Sequence, residues 1–315
     1  MSESRHLLSL SDLDPVALDR VLQRALRYKR EGSPPVLTGR SLALLFQKPS
    51  LRTRVSFTVG MTQLGGQTIY LSEAEVGLGT REPVADIARV LSRYVDGIVA
   101  RVHVHADLEL LARWASVPVI NALSDLEHPC QVLADLLTIL EQKGRLAGVT
   151  LAYVGDGFNI AHSLLIGAAL SGLRLRVATP TTYAPAASVL KAAQALTRQH
   201  GTGAELLTTT DPREAVAGAE FVYTDVWTSM GQEAEAEQRR RTFAGYEVTE
   251  ELLALARPGV LVLHDMPVHR GEEIEAAVID GPASLIFEQA ENRLHAQKSL
   301  LVELLGPREG ERLLA

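Results

Sequence analysis

SLALLFQKPSLRTRVSFTVGMTQLGGQTIYL, residues 41–71, holds the fold decision in a single span. The apolar run SLALLF stops at a Pro-Ser turn, and LRTRVSFTVGMTQ follows at helical spacing until Gly65 and Gly66 close it. QTIYL then begins a second strand. A strand, a helix and a strand in about thirty residues make a βαβ unit, whose strands lie parallel in one sheet. The pattern continues downstream. PVADIARVLSRY opens with a proline suited to a first helical position, GIVARV is a strand, DLELLARWA a helix, VPVINA extended and HPCQVLADLLTILEQKG a long helix. Upstream, residues 11–30 read as a helix capped by Ser11 or Asp12.

KGRLAG, residues 143–148, interrupts this alternation and marks a domain boundary. The alternation then restarts with LAYVG, a helix over 159–171, LRLRVATP, a helix over 186–200, AELLTTT, FVYTDV, a helix over 248–256 and GVLVLHDMP. The expected fold class is α/β. Two open parallel-sheet α/β domains are joined by helices, with the active site in the cleft between them. The expected domains are residues 1–142, completed by a C-terminal helix over 291–315, and residues 143–290.

Composition narrows the class. The chain has 315 residues, 46% hydrophobic and 22% charged, which suits a globular protein of two domains. A net charge of −7 with scattered basic residues argues against nucleic acid or an anionic membrane as partner. Cys130 is the only cysteine, which excludes an internal disulfide and fits a reducing compartment. No apolar run reaches the roughly 20 residues of a membrane span, and no secretory signal is evident, so the expected location is cytoplasmic.

Several stretches carry chemistry. Ser50, Arg52, Thr53 and Arg54 sit where a strand delivers the chain to a helix N-terminus, a place that attracts anions. Arg52 and Arg54 are about 200° apart on a helix, so the two are not expected to serve one ligand; a capped helix with one solvated and one structurally paired arginine is the other reading. HPCQ offers His128 and Gln131 at a second such junction, and Arg101 ends the strand between them. Cys130 reads as a packed residue rather than a nucleophile. GDGFN (155–159) resembles a dinucleotide loop, but Ile160 stands at the third glycine position and no ribose-binding acid follows. Asn159 is a cap or a ligand. Asp225 and Ser229 could hold an ammonium group or cap a turn, and Arg239–Arg241 read as a solvated face. His264, Asp265 and His269 invite a metal, yet no second cluster accompanies them.

SLRTR, HPCQ, DVWTSMGQE and HDMPVHRGEE, in that order and across nearly the whole chain, resemble the aspartate/ornithine carbamoyltransferase family. DVWTSMG is similar to the D-x-x-x-S-M-G of the ornithine-specific members. The resemblance implies that Ser50, Leu51, Arg52, Thr53 and Arg101 bind the phosphate of carbamoyl phosphate. It further implies that Arg101, Thr53 and His128 polarise the carbonyl, that Gln131 holds the amino group, and that Arg293 reaches the same ligand. Asn159, Asp225, Ser229 and Met230 would hold the α-amino and α-carboxylate groups of L-ornithine. The backbone carbonyls of Asp265 and Met266 would receive the carbamoyl amino group. Arg101, His128 and Asp265 are the expected catalytic residues.

The implied reaction gives citrulline and phosphate without cofactor or metal, in a homotrimer or a multiple of trimers. A different amine substrate, or a catalytically weak ligand-binding homologue, is the alternative. The chain departs from the family pattern at Leu51, Gly77, Phe158 and Asp265. The last stands where the family has the cysteine of H-C-L-P. Its carboxylate either holds the attacking amine as ammonium or accepts its proton as a general base.

Overall fold

The computed structural model describes residues 6–228 and 233–306. Ser229 and Met230 therefore lie outside the described residues, as does the expected helix beyond residue 306. The chain divides into two compact units, Met1–Leu137 with Glu291–Ala315, and Thr138–Ala290.

In the first unit, β1 (Ser41–Phe46), β2 (Gln67–Ser72), β3 (Gly97–Arg101) and β4 (Val119–Leu123) form a parallel sheet in the order β2-β1-β3-β4. Around it run α1 (Pro15–Glu31), α2 (Leu51–Gln63), α3 (Glu73–Val76), α4 (Val84–Leu91), α5 (His105–Trp114) and the start of α6 (Pro129–Lys143). β3 is buried throughout and β1 nearly so, as parallel strands covered on both faces must be, whereas edge strand β2 alternates. Ala43, Leu45, Ile98 and Ala100 pack one face of the sheet against Leu108 and Leu111 of α5.

The second unit repeats the plan with five strands in the order β7-β6-β5-β8-β9, again all parallel. These are β5 (Thr150–Val154), β6 (Arg174–Ala178), β7 (Glu205–Thr209), β8 (Phe221–Thr224) and β9 (Leu261–His264). Its helices are α7 (Asn159–Ser171), α8 (Ala187–His200), α9 (Pro212–Val216), α10 (Ala236–Thr242), α11 (Glu250–Leu253) and α12 (Ala276–Ile279). α7 is buried on every face from Asn159 to Leu170, so it is a core helix rather than an amphipathic one. The last helix, α13 (Ile286–Leu305), begins in this unit and ends in the first.

Several boundaries differ from the sequence reading: Pro83 caps α4 instead of opening it, α13 starts at Ile286 and not at 291, and two further differences have a clear local cause. α1 starts at Pro15 behind Asp14, whose side chain accepts the Ala17 N–H at 2.7 Å. Proline at the first helical position fixes that start. Ser9 and Asp12 instead close a capping box on a separate 3-10 turn, Leu10–Asp12. The helix expected over 248–256 is a single turn, α11, capped by Thr249.

Candidate functional site

Both sheets have a point where successive strands step in opposite directions, and in open α/β sheets ligands collect outside the carboxyl ends of the strands there. In the first sheet that point lies between β1 and β3, whose last residues Phe46 and Arg101 are in register. α2 follows β1 and opens on Ser50. The Ser50 Oγ accepts the Thr53 N–H at 3.3 Å and donates to Thr53 Oγ1 at 3.0 Å. Leu51 at the first helical position is exposed, and its N–H belongs to the group that has no intrahelical acceptor.

Arg293, on α13 and 3% exposed, donates from Nη2 to Thr53 Oγ1 at 2.7 Å and from Nη1 to Gln131 Oε1 at 2.9 Å. Gln131 Nε2 in turn donates to Asp135 Oδ1 at 2.9 Å. His128 is buried beside this network. Burial first, then the guanidinium charges of Arg293, Arg101 and Arg52, hold its pKa well below the usual imidazole value. The imidazole is therefore neutral at neutral pH, a hydrogen-bonding group set among three fixed cations. Arg54 turns away and stacks on the Tyr70 ring, 3.8 Å from its centroid. Cys130 is buried with its thiol pushed up to about 12, and it donates weakly to the Asn121 carbonyl at 3.3 Å.

In the second sheet the switch point falls between β5 and β8. GDGFN leaves β5, and Asp225 leaves β8. Gly157 has no room for a side chain: a Cβ there would lie 2.4 Å from the Tyr183 carbonyl oxygen and 2.5 Å from Pro185 N. That glycine serves the close passage of the chain at 183–185, whose Tyr183 carbonyl accepts the Gly157 N–H at 2.9 Å. The dinucleotide look of the loop has this other cause. Asn159 opens α7, buried in its first turn.

Asp225, buried, receives the Val226 N–H on Oδ1 at 2.6 Å and has Asp265 beside it, an oxygen of each within 4.8 Å. Burial and the Asp265 charge hold the Asp225 carboxyl well above the usual carboxylate range. Oxygens of the two aspartates and a His264 nitrogen lie within 4.8 Å of one another, spacing that could suit a metal. His264 is already engaged: Nδ1 accepts the Met266 N–H at 2.9 Å and Nε2 donates to Glu273 Oε1 at 3.0 Å. Its ring has no lone pair left for an ion, so the trio is two neighbouring acids beside an engaged imidazole. Met266 itself adopts a left-handed backbone at φ 61°, held by that bond to His264.

The first unit thus gathers Ser50, Arg52, Thr53, Arg101, His128, Gln131 and Arg293, and the second gathers Asp225, Asp265 and Met266, with Asn159 at the start of α7 after the neighbouring strand β5. Arg239 corrects the sequence reading. It is buried, donating from Nη1 to Asp156 Oδ2 at 2.7 Å and to the Trp227 carbonyl at 3.0 Å. Only Arg240 and Arg241 face solvent. Sequence reasoning also missed Asp135, Asp156 and Glu273. Asp135 had a signal, since it lies one helical turn after Gln131. Asp156 and Glu273 had none of that kind.

Two family profiles cover this chain. Aspartate/ornithine carbamoyltransferase, carbamoyl-P binding domain, matches residues 5–141. Aspartate/ornithine carbamoyltransferase, Asp/Orn binding domain, matches residues 147–304. The ornithine carbamoyltransferase of Archaeoglobus fulgidus is 50% identical over 306 residues, 96% of this chain and 98% of that relative. That of Acidothermus cellulolyticus is 53% identical over 303 residues, 96% of each. Among solved structures, the ornithine carbamoyltransferase of Pyrococcus furiosus superposes with a TM-score of 0.91 at 49% identity, covering 97% of this chain and 98% of that one. The Thermus thermophilus enzyme gives 0.87 at 48% identity, covering 96% and 99%.

Proposed function

The chain belongs to the aspartate/ornithine carbamoyltransferase family, and from that premise we infer that it transfers the carbamoyl group of carbamoyl phosphate to the δ-amino group of L-ornithine. The products are L-citrulline and phosphate. The observation that carries this reading is the opposite charge at the two switch points. Arg52, Arg101 and Arg293 surround His128 in the first unit, whereas Asp225, Asp265 and Glu273 cluster in the second. A dianionic phosphate ester suits the former and an ammonium-bearing amino acid the latter.

In this assignment Ser50, Leu51, Arg52, Thr53 and Arg101 hold the phosphate, the first two with help from free N–H groups of the α2 N-terminus. Gln131 takes the carbamoyl amino group. Arg293 reaches the ligand from the chain that already fixes Thr53 and Gln131. The neutral δ-amine attacks the carbamoyl carbon, the C–N bond forms, and negative charge gathers on the carbonyl oxygen. Arg101, Thr53 and His128 stabilise that charge, and one such donor contributes roughly 3–4 kcal/mol. The C–O bond then breaks, phosphate leaves against the arginines, and the departing phosphate oxygen takes the proton of the former amine. Asn159, Asp225, Ser229 and Met230 bind the α-amino and α-carboxylate groups of ornithine. Asp265 and Met266 border the reacting amine.

Two further readings accompany this one. Assembly as a homotrimer is supported by the exposed apolar positions Leu51, Val55 and Val59, which recur every fourth residue along α2. A cytoplasmic location is supported by a single buried thiol. Among the described residues no helix is long and apolar enough to cross a membrane.

A colorimetric citrulline assay with a panel of amines tests the function. Product from ornithine, and none from lysine or aspartate, is the expected outcome. Product only from another amine, or ligand binding without turnover, overturns it.

A further inference from the structure

β8 and β9 are parallel neighbours with Thr224 opposite His264. The next residue on each is an aspartate, so the register itself brings Asp225 and Asp265 off the sheet side by side. A carboxylate oxygen of each lies within 4.8 Å of the other. Two carboxylates this close and buried, with no cation between them, do not both stay ionised, so one keeps its proton. Asp265 Oδ1, 3.6 Å from His264 Nδ1, is buried with no hydrogen-bond partner.

The surroundings add negative charge from every side. On β5, Tyr153 feels the charges of Asp225, Asp156 and Asp265, and with burial they push its phenol well above its usual value. Its hydroxyl is used up on the Asp156 carbonyl at 2.7 Å. After β9, the fully buried Glu273 takes the His264 Nε2–H and the His269 N–H on Oε1, while Oε2 has no hydrogen-bond partner. His264 accepts at Nδ1 and donates at Nε2, so it is the neutral tautomer. From α10, Arg239 is spent on Asp156 and Trp227. Every charged neighbour that acts on Asp225, namely Asp265 and Glu273, is acidic.

We propose that Asp225 and Asp265 share one proton while the site is empty and surrender it to solvent when the α-ammonium group of ornithine arrives, so that substrate binding ejects a proton. The idea deepens the ornithine reading of this site and rests on it. An ammonium group brings three donors and the positive charge that the cluster lacks. With the cation in place the pair no longer needs the proton to hold its two oxygens together. No covalent bond to carbon changes: the protonated pair and the ammonium ion become an ionised pair, a bound ammonium ion and a free proton. Affinity for the α-amino acid accordingly rises with pH, up to about tenfold per pH unit, until the empty pair is itself fully ionised.

The probe is L-norvaline, which is ornithine without its δ-amine and so cannot turn over. It is titrated calorimetrically into the full-length protein, with inorganic phosphate present, in buffers of different ionisation enthalpy. The expected result near pH 6 is about one proton released per site by the wild type and a small fraction of that by Asp265→Cys. Norvaline binding without proton release, or equal release by the variant, overturns the proposal. An infrared spectrum of the ligand-free protein tests the shared proton independently of any ligand. Beyond the band that Asp156 contributes near pH 6, the C=O stretch of a protonated carboxyl should be present in wild type and lost in both Asp265→Cys and Asp225→Asn. Its absence from the wild type overturns the proposal. Its presence, with norvaline failing to bind, leaves the shared proton standing and overturns the ornithine reading instead.

Discussion

Replacing Arg239 by methionine should destabilise the protein by an amount that grows with pH. The guanidinium is held on three sides: Asp156 and the Trp227 carbonyl at Nη1, Glu235 at 3.1 Å from Nε, and the Tyr183 ring 4.7 Å from Cζ. Both side chains of the Asp156 pair are less than a tenth exposed. Burial raises the Asp156 carboxyl from 3.8 to about 6 even though Arg239 pulls the other way. Between those two values the folded state keeps a proton that the unfolded chain has lost. Stability therefore falls as pH rises through that window, by about 3 kcal/mol at 1.36 kcal/mol per pH unit. Without Arg239 the carboxyl rises further, and the decline continues above pH 6 where the wild type has levelled off. From pH 6 to pH 8 the variant loses up to about 3 kcal/mol more than the wild type, in line with roughly 3–5 kcal/mol for breaking a buried ion pair. The assay is thermal unfolding of the full-length wild type and Arg239→Met at pH 6, 7 and 8. At roughly 2–4 °C per kcal/mol, the gap in Tm should widen by about 6–12 °C across that range. The double variant Asp156→Asn/Arg239→Met should remove the widening. A gap that stays constant with pH would refute the reasoning.

Arg293→Met cuts the bonds to Thr53 and Gln131, so kcat/KM for carbamoyl phosphate should fall about 10²–10³-fold in the citrulline assay. A fall under tenfold would make Arg293 a packing residue. His128 declines a proton that the unfolded chain takes up near pH 6.5. Its contribution to stability is thus full above that pH and is lost as pH drops below it. NMR titration should find its ring neutral at pH 6, and His128→Gln should flatten the acid limb of the stability profile. Gly157→Ala drives a methyl into the backbone at Tyr183 and Pro185. A loss of about 3 kcal/mol is expected, read as a lower Tm. Cys130, buried with its thiol at about 12, should resist thiol reagents in the native protein and react only on unfolding. Rapid stoichiometric labelling of the native state would contradict that placement.

The fold was legible because its signals are local. A strand-length apolar run, a helix start with Ser50, and a Gly-Gly stop all lie within residues 41–71, and each is a property of neighbouring residues. The capped N-terminus of α2 at Ser50 was legible for the same reason. Arg239 was not, because Arg239, Arg240 and Arg241 look alike in the sequence. What separates them is Asp156, 83 residues away and reachable only once β5 and the segment after β8 are folded. The start of α1 was misplaced because Ser11 and Asp12 are good caps in their own right. Asp14 prevails by standing directly before Pro15. Asp225 and Asp265 were each assigned near ornithine, but nothing local says that they touch. Their contact follows from the placement of β8 beside β9, which is sheet order and not periodicity.

That sheet order also explains why charge alone can sort the two substrates. Each unit has one switch point, and at each a neutral imidazole stands beside groups of a single sign: His128 beside arginines, His264 beside carboxyls. A charge of the wrong sign placed about 4 Å from any one of these groups meets roughly 4 kcal/mol of repulsion at the effective dielectric of such sites. That penalty exceeds the net worth of a typical hydrogen bond, about 1 kcal/mol, so hydrogen-bonding detail cannot reverse the assignment. Carbamoyl phosphate, all anion, is confined to the first unit. Ornithine carries both signs, so the acid cluster repels its carboxylate while it attracts its ammonium groups. The amino acid must therefore be oriented as well as bound, and the proposed assignment gives its carboxylate end to Asn159, an uncharged side chain buried at the head of α7. Asp265 sharpens this sorting, because it adds a second carboxyl at the very edge where the first already stands.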